Sequence, residues 1–381
     1  MSQTIPPARI LITGGAGFIG SNLIDRFLEL GHEVVCLDDL STGYEHNISH
    51  HYEDPKFEFI KGDIRDLETC KRAIEDCDYV CHQAALGSVP RSIADPANTN
   101  SVNIDGFLNV LIAARDRKIK RFVYACSSST YGDSKKLPKV EEEIGRPLSP
   151  YAVTKYVNEL YADVFAKSYG MQCVGLRYFN VFGKRQDPNG VYAAVIPLWV
   201  KKLINHASPV INGDGSHSRD FTYIENVVQA NEKALFTPSK EISERRKEYY
   251  NTGLDKHKYL MQSEHGSDGD KAGDEIISEI FNIALGGNTT LLQLFDTLRD
   301  SLAQFDPAIA VIQPRFGPLR VGDIPHSQAS ILKAETILGY RPGYDAKEGL
   351  TRAAKWYHQS LSELPSQASP ELEMSKNLQL K

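Results

Sequence analysis

The sequence predicts an α/β fold, a doubly wound parallel sheet followed by a smaller C-terminal lobe. Three observations carry that prediction. From Arg9 to Tyr178, apolar runs of strand length alternate with stretches of helical periodicity, the pattern of a parallel sheet covered on both faces. A glycine turn, Gly14-Gly-Ala-Gly17-Phe-Ile-Gly20, joins the first strand-like run to the first helical one. After Gly183 the regular alternation lapses.

Arg9 to Thr13 reads as a strand, Ser21 to Leu30 as a helix ending at Gly31, and Val34 to Leu37 as a strand closing on Asp38-Asp39. The spacing G-x-x-G-x-x-G differs from the usual fingerprint, but this strand, glycine turn, helix and strand form a Rossmann unit that cradles a pyrophosphate. Gly14, Gly17 and Gly20 let backbone N–H groups approach phosphate oxygens at a helix N-terminus. Asp38, eighteen residues after Gly20, is placed to accept hydrogen bonds from an adenosine ribose. With Asp39 beside it, the pair repels a 2′-phosphate, so NAD is expected over NADP.

Further strands are predicted at Phe57 to Gly62, Tyr79 to Gln83, Arg121 to Cys126 and Cys173 to Tyr178, with helices at Leu67 to Asp76, Thr99 to Lys118 and Pro150 to Tyr169. Ligands of such a sheet sit at the carboxyl ends of its strands. Those ends carry Asp63, His82-Gln83, Ser127-Ser128-Ser129 and Asn180. His82 is read as a packed, hydrogen-bonded residue. His46, His50 and His51 lack ligand spacing and are read as a solvated loop, so no metal is expected.

Ser149 is a cap for the helix at 150–169, Pro150 suits its first position and Gly170 its end. Tyr151 falls in the first turn, and Lys155, four positions on, shares its face. The ammonium and the helix N-terminus both favour an ionised phenol, which makes Tyr151 a candidate base. The same spacing at Tyr52/Lys56 and Tyr131/Lys135 lacks this context, because Pro55 and Gly132 disfavour a helix there.

Beyond Gly183, a helix is read at Tyr192 to Ile204, a turn at Val210 to Gly215, a strand at Ile280 to Leu285, a helix at Leu291 to Leu302 and a strand at Ala310 to Ile312. Residues 1–183 are expected to form the NAD-binding Rossmann domain and 184–358 a substrate-binding lobe, with pieces that return to the sheet. A polar segment at about 237–274 reads as a mobile surface insertion, and 359–381 as a polar tail.

The 381 residues carry a net charge of -6, which offers no general attraction to nucleic acid or anionic membrane. No segment reaches the ~18 apolar residues of a membrane helix. The six cysteines form no C-x-x-C pair and read as buried reduced thiols. With no signal-peptide pattern before Arg9, a cytoplasmic location is expected.

Taken in order, Thr13-Gly-Gly-Ala-Gly-Phe-Ile-Gly20, Gly62-Asp-Ile-Arg65, Ser127-Ser-Ser-Thr-Tyr131-Gly132, Ser149-Pro-Tyr-Ala-Val-Thr-Lys155, Leu176-Arg-Tyr-Phe-Asn180, Ser218-Arg-Asp-Phe221 and Arg320-Val-Gly-Asp323 resemble the extended short-chain dehydrogenase/reductase family. The resemblance is to its nucleotide-sugar 4-epimerases, over about residues 8 to 355 apart from 237–274. It implies that Phe18 and Ile19 contact the pyrophosphate of NAD, Asp63 and Ile64 the adenine, and Gln83 and Val181 the nicotinamide half. The family's triad falls on Ser127, Tyr151 and Lys155, with Ser127 four residues before the tyrosine of Tyr131-Gly132. In a UDP-sugar substrate, Arg219 and Arg320 match diphosphate contacts and Ala194, Val195, Trp199 and Asn212 nucleotide contacts. Gly87, Ser88 and Ser128 match sugar contacts, and Asn180 a further substrate contact. The implied reaction has Tyr151 take the proton of the sugar 4-hydroxyl while hydride leaves C4. The 4-keto sugar then turns and regains hydride on its other face. A homodimer through helices 99–118 and 150–169 is implied as well.

Members restricted to glucose and galactose nucleotides carry a tyrosine just past Gly-Asp-x-Pro, whereas members admitting 2-acetamido sugars have a small residue there. Here that position is Ser327, in Gly322-Asp-Ile-Pro-His326-Ser327. With the triple serine and Gly87-Ser88-Val89, it resembles the branch acting on UDP-N-acetylglucosamine. The 4,6-dehydratase branch has Asp-Glu where this chain has Ser128-Ser129, so elimination lacks its acid and base. A UDP-uronic acid 4-epimerase stays open, because Arg91 could meet a C6 carboxylate. A non-catalytic dinucleotide sensor is the alternative of a different class.

Overall fold

The computed structural model describes residues 6–188, 193–251, 276–319 and 324–363. Its strands are β1 (Arg9–Thr13), β2 (Glu33–Asp38), β3 (Phe57–Lys61), β4 (Tyr79–His82), β5 (Arg121–Ser127), β6 (Cys173–Tyr178), β7 (Val181–Phe182), β8 (Val210–Asn212), β9 (Ser218–Arg219), β10 (Thr222–Tyr223), β11 (Ser278–Ile283), β12 (Thr289–Thr290) and β13 (Arg315–Gly317). Its helices are α1 (Phe18–Glu29), α2 (Leu67–Ala73), α3 (Val89–Ala94), α4 (Pro96–Asn100), α5 (Phe107–Asp116), α6 (Pro150–Tyr169), α7 (Val195–Ile204), α8 (Ile224–Phe236), α9 (Ser239–Asn251), α10 (Leu291–Leu302) and α11 (Ala346–Glu363).

Seven strands form one parallel sheet in the order β11-β6-β5-β4-β1-β2-β3. The chain runs outward from β1 to β3 and then restarts at β4 on the other side of β1. At that reversal the connections leaving β1 and β4 part to either side, which leaves a crevice beyond the carboxyl ends of the two strands, where Thr13 and His82 pair in register. Alternation along β1 sets the two layers: Ile10 and Ile12 pack with Ile24 and Phe27 of α1 and Val227 of α8, while Leu11 packs with Phe107 of α5 and Ala162 and Phe165 of α6. Both faces are therefore apolar, as a covered parallel sheet requires. Far along the chain, β11 returns to extend the sheet beside β6.

The helix at 150–169 has the predicted bounds for the predicted reasons. The Ser149 side chain accepts from the Ala152 amide, and Gly170 closes the helix with a φ of 68°. The helix predicted at 99–118 is instead α4, a π-helical turn over Ser101–Gly106, and α5. Inside that turn Asn103 accepts from the Leu86 amide and donates to the Leu86 carbonyl and the Thr154 hydroxyl. The bulge thus ties the loop after β4 to α6, a use of a π-turn that regular helical spacing cannot announce.

Three local readings are corrected. Ala310 to Ile312, read as a strand, belongs mostly to a 3-10 turn at Pro307–Val311, started by the Asp306 side chain accepting from the Ala308 amide. The polar segment at 237–274 begins with helix α9, whose Ile242 and Tyr249, two turns apart, are buried. Sparse apolar residues among many charges hid that amphipathic face. Helix α11 runs on to Glu363, into the stretch 359–381 read as a polar tail. The rest of the 237–274 segment and residues 364–381 lie outside the described residues. Among the described residues, no helix is long and apolar enough to cross a membrane.

Candidate active site

The crevice at the strand reversal is closed on one side by the glycine turn. Gly14 has a φ of 69°, and a Cβ there would lie 2.6 Å from the Ala84 amide nitrogen. A side chain at Gly20 would overlap the Gly14 carbonyl. Only glycine lets the turn fold this tightly between α1 and the end of β4. Gly17 precedes α1, with Phe18 and Ile19 in its first turn, so the helix N-terminus opens on the crevice.

A cleft of about 360 Å³ runs from Asp38 and Asp63 past the turn to Gln83, Gly87 and Arg91, with Ile64 on its wall. The Asp38 carboxylate accepts from the amides of Ala16 and Leu40, while burial pushes its pKa up against those two bonds. Asp63 is forked by Arg65, whose hydrogen bonds hold the carboxyl below its usual range. The side chain of Gln83 donates to Asn231 and accepts from the Tyr178 hydroxyl, so buried residues of α8 and β6 fix its orientation. Val181 opens the short strand β7, paired with β10. This geometry fits an extended dinucleotide: backbone N–H groups at the centre, carboxylates at one end and a fixed carboxamide at the other.

Ser127 ends β5 beside Tyr178 of β6, and its Oγ accepts from the amide and hydroxyl of Ser129. Ser128 starts the 3-10 turn that follows. Tyr151 sits in the first turn of α6; desolvation raises its phenol pKa, and the Ser127 hydroxyl pulls it down. Lys155 is buried and donates Nζ to the Ala125 carbonyl at 2.9 Å, not to the phenol. Burial lowers its own pKa to about 8. The lysine thus reaches Tyr151 through the placement of its helix against β5. His82 is a packed residue: its Nδ1 meets the Thr13 hydroxyl at 2.8 Å, its ring stacks on Phe122, and burial lowers its pKa to about 3.

On the far side of the cleft, the Ser88 hydroxyl caps α3 from a residue with a φ of 105°, and Arg91 donates to the Gly87 carbonyl at 2.7 Å. Arg91 therefore lies on the same cleft as the glycine turn. The residue that the sequence offered for a C6 carboxylate is thus a cation on the lining of the cleft. Asn180, with a φ of 35°, donates to the Asp220 carbonyl, and Arg219 donates to the carbonyls of Ser218 and Pro325. The Ser327 amide donates to the Ser218 carbonyl, bringing residues 326–327 against β9. Asn212 ends β8, Ala194 immediately precedes α7 and Val195 is its first residue. The Trp199 ring is buried edge-on to Phe295. Arg320 lies outside the described residues, as do Gly322 and Asp323.

Asp25 of α1 brings an oxygen to within 3.2 Å of His50 Nε2 and 2.9 Å of His51 Nε2, a grouping sequence spacing did not reveal. Its other oxygen is paired with Lys184 and Arg185, two cations that oppose a metal ion there. The cluster ties α1 to the chain leaving β7. His46 is apart from it, stacked on Tyr44.

A family model described as the NAD dependent epimerase/dehydratase family matches residues 10–253. A putative UDP-glucose 4-epimerase of Methanocaldococcus jannaschii is 35% identical, over 91% of this chain and 97% of its own. Among solved structures, a UDP-N-acetylglucosamine 4-epimerase from Methanobrevibacter ruminantium M1 in complex with UDP-N-acetylmuramic acid has a TM-score of 0.77 at 34% identity, covering 93% of this chain and 100% of that one. A UDP-glucuronic acid 4-epimerase from Bacillus cereus in complex with UDP-glucuronic acid and NAD has a TM-score of 0.73 at 27% identity, covering 92% and 99%.

Proposed function

The chain belongs to the NAD dependent epimerase/dehydratase family, and from that premise we propose that it interconverts UDP-N-acetylglucosamine and UDP-N-acetylgalactosamine. It is an NAD-dependent UDP-sugar 4-epimerase; the acetylated hexose is the finer step. The observation that carries this step is Ser327, a small side chain on a stretch whose backbone is held against Ser218 and so cannot simply swing away. In this reading its size leaves room for an acetamido group, and Gly87, Ser88 and Ser128, which match the family's sugar contacts, are small and polar as well.

Bound NAD supplies a reversible hydride acceptor, held by the glycine turn, Asp38, Asp63 and Gln83. Tyr151 takes the proton of the sugar 4-hydroxyl and later returns it, with Ser127 as the adjacent hydroxyl that orients the sugar. Lys155 fixes the helix that presents Tyr151 through its bond to the Ala125 carbonyl. Arg219 and Arg320 hold the diphosphate while the 4-keto sugar turns, so firm anchoring sits at one end and freedom at the other.

A UDP-uronic acid substrate is the second reading, favoured by the uronic acid epimerase among the similar structures and by Arg91 on the cleft. The sensor alternative has no support among these relatives. We also place the enzyme in the cytoplasm, in keeping with its six free cysteines, and read it as a homodimer. Val153, Leu160 and Val164 leave an exposed apolar stripe along α6, which a second copy would cover. A monomer in solution scattering would count against that pairing.

Product analysis tests the substrate. The protein is incubated with UDP-N-acetylglucosamine, UDP-glucose or UDP-N-acetylglucosaminuronic acid in separate reactions without added reductant. Preferential conversion of the first to its galacto epimer is expected. Conversion of the uronic acid alone would move the substrate while keeping cofactor and base.

A further inference from the structure

We propose that Asp220 is a positioning residue that sets how tightly the substrate lobe grips the nucleotide sugar, an inference that rests on the UDP-sugar reading above. Asp220 follows Arg219 between β9 and β10 and is 1% exposed. One carboxylate oxygen accepts from the Leu285 amide at 2.9 Å; the other accepts from the amides of Gly286 at 3.1 Å and Ala329 at 3.3 Å. The backbone carbonyl of the same residue accepts from the Asn180 side chain at 3.1 Å. One buried residue thus joins the segments carrying Asn180, Arg219 and Ser327 to the loop that leaves β11. A further bond, from the Gln328 side chain to the Gly286 carbonyl, ties two of those segments to each other.

The geometry calls for an ionised carboxylate. All three donors aimed at the side chain are backbone N–H groups, and only a carboxylate accepts on both oxygens. Asparagine would turn an NH2 group onto one or two of those donors, leaving them unsatisfied in a buried place. Protonation has a related effect, because the new O–H must point where an N–H already points. Among the described residues, the titratable and charged groups around this anchor are Tyr340, whose hydroxyl goes to the Ala284 carbonyl, Arg219, which is forked onto Ser218 and Pro325, and His326, paired with Ser218. Among the described residues no ammonium or guanidinium pairs with Asp220, so the burial penalty falls on its charged form. Burial accordingly pushes its pKa up to about 6. Above that pH the anchor is complete, and below it the stretch bearing Ser327 is released from one of its ties.

The test compares wild-type holoenzyme with Asp220→Asn and with a His326→Asn control, using UDP-N-acetylglucosamine or UDP-glucose between about pH 5 and 8. The diphosphate diester of these substrates does not titrate there. For the wild type, KM is expected to rise several-fold as pH falls through about 6. For Asp220→Asn, KM is expected to be raised about tenfold at neutral pH and to lose that pH dependence, with kcat and NAD content little changed. His326→Asn, which also removes a tie to Ser218, keeps the fall in affinity below about pH 6 whatever its KM at neutral pH. A variant with wild-type KM, a loss confined to kcat, or a profile flattened by the histidine change instead would each overturn the proposal. Should Asp220→Asn fail to fold, calorimetric affinity of the wild type decides: a fall below pH 6 with NAD retained supports it, and constant affinity overturns it. Wild-type protein that binds no UDP-sugar at any pH overturns the functional reading and this proposal together; binding by the wild type with an indifferent variant overturns this proposal alone.

Discussion

Lys155 on α6 donates its Nζ to the carbonyl of Ala125 at 2.9 Å, two residues before Ser127 ends β5. That bond locks the helix carrying Tyr151 to the strand carrying Ser127, so two candidate catalytic groups from distant parts of the chain keep a fixed separation. Burial lowers the lysine pKa from 10.5 to about 8. For a cation with a lowered folded-state value, the stability contribution is full above the unfolded pKa and is lost as pH falls through the folded one. The stability of the wild type relative to Lys155→Met should therefore increase as pH is raised from neutrality through about 8 toward 10. Urea unfolding at several pH values measures it; parallel pH curves would refute a titrating Lys155. Turnover of the variant should fall by about 100-fold or more.

Tyr151→Phe removes the phenol hydroxyl and leaves the helix, its Ser149 cap and the glycine turn intact. Turnover is expected to drop by about 10²–10⁴-fold with bound NAD unchanged. Cofactor content after denaturation, read against the epimerisation rate, separates the two effects. Retained turnover would transfer the base to another group.

One turn after Lys155, Glu159 forms a bidentate ion pair with Arg177 of β6 at 2.8 Å for each bond, with both side chains 3% exposed. The arginine also donates to the Glu141 carbonyl and lies over the Tyr131 ring. Glu159→Leu leaves a buried guanidinium without its counter-charge and should cost about 3–5 kcal/mol. Adding Arg177→Met should recover most of the loss, because the costly species is the orphaned charge. Denaturant unfolding of both variants measures the difference, and a double variant as unstable as the single one would show that the pair itself supplies the stability.

The cofactor half of the molecule was legible because its signals are local. Glycines, a cap and apolar periodicity lie within a few residues of the turn or helix they specify, and α6 has the bounds that Ser149 and Gly170 predict. What the sequence hid depends on distant partners. Asn103 bulges a helix to reach Leu86 and Thr154, Asp25 gathers His50 and His51 with Lys184 and Arg185, and Asp220 collects amides from residues 285, 286 and 329. Each is a polar residue inside a run that reads equally well as ordinary helix or loop, and its partners are set by chain crossings that no short window contains. The tyrosine and lysine spacing was visible, but the lysine's bond to Ala125 was not, since a backbone carbonyl leaves no mark in the residue pattern.

In the proposed function, the substrate preference turns on one side chain. Ser327 is half-buried, its amide bonded to the Ser218 carbonyl at 3.1 Å, with His326 bridged to the Ser218 hydroxyl and Ala329 bonded to Asp220. A tyrosine there cannot be accommodated by shifting the backbone without breaking those bonds, so under the proposed function its ring takes up the space assigned to the acetamido group. A substituent at C2 sweeps a larger volume than a hydroxyl as the 4-keto sugar turns, and a steric clash rejects it far more strongly than the loss of a contact. Ser327→Tyr is therefore expected to lower kcat/KM for UDP-N-acetylglucosamine by about 100-fold while leaving that for UDP-glucose within about threefold. Measuring both substrates on one preparation separates specificity from folding loss, which would lower the two together. An unchanged ratio would remove residue 327 as the determinant and place the acetamido group elsewhere in the cleft.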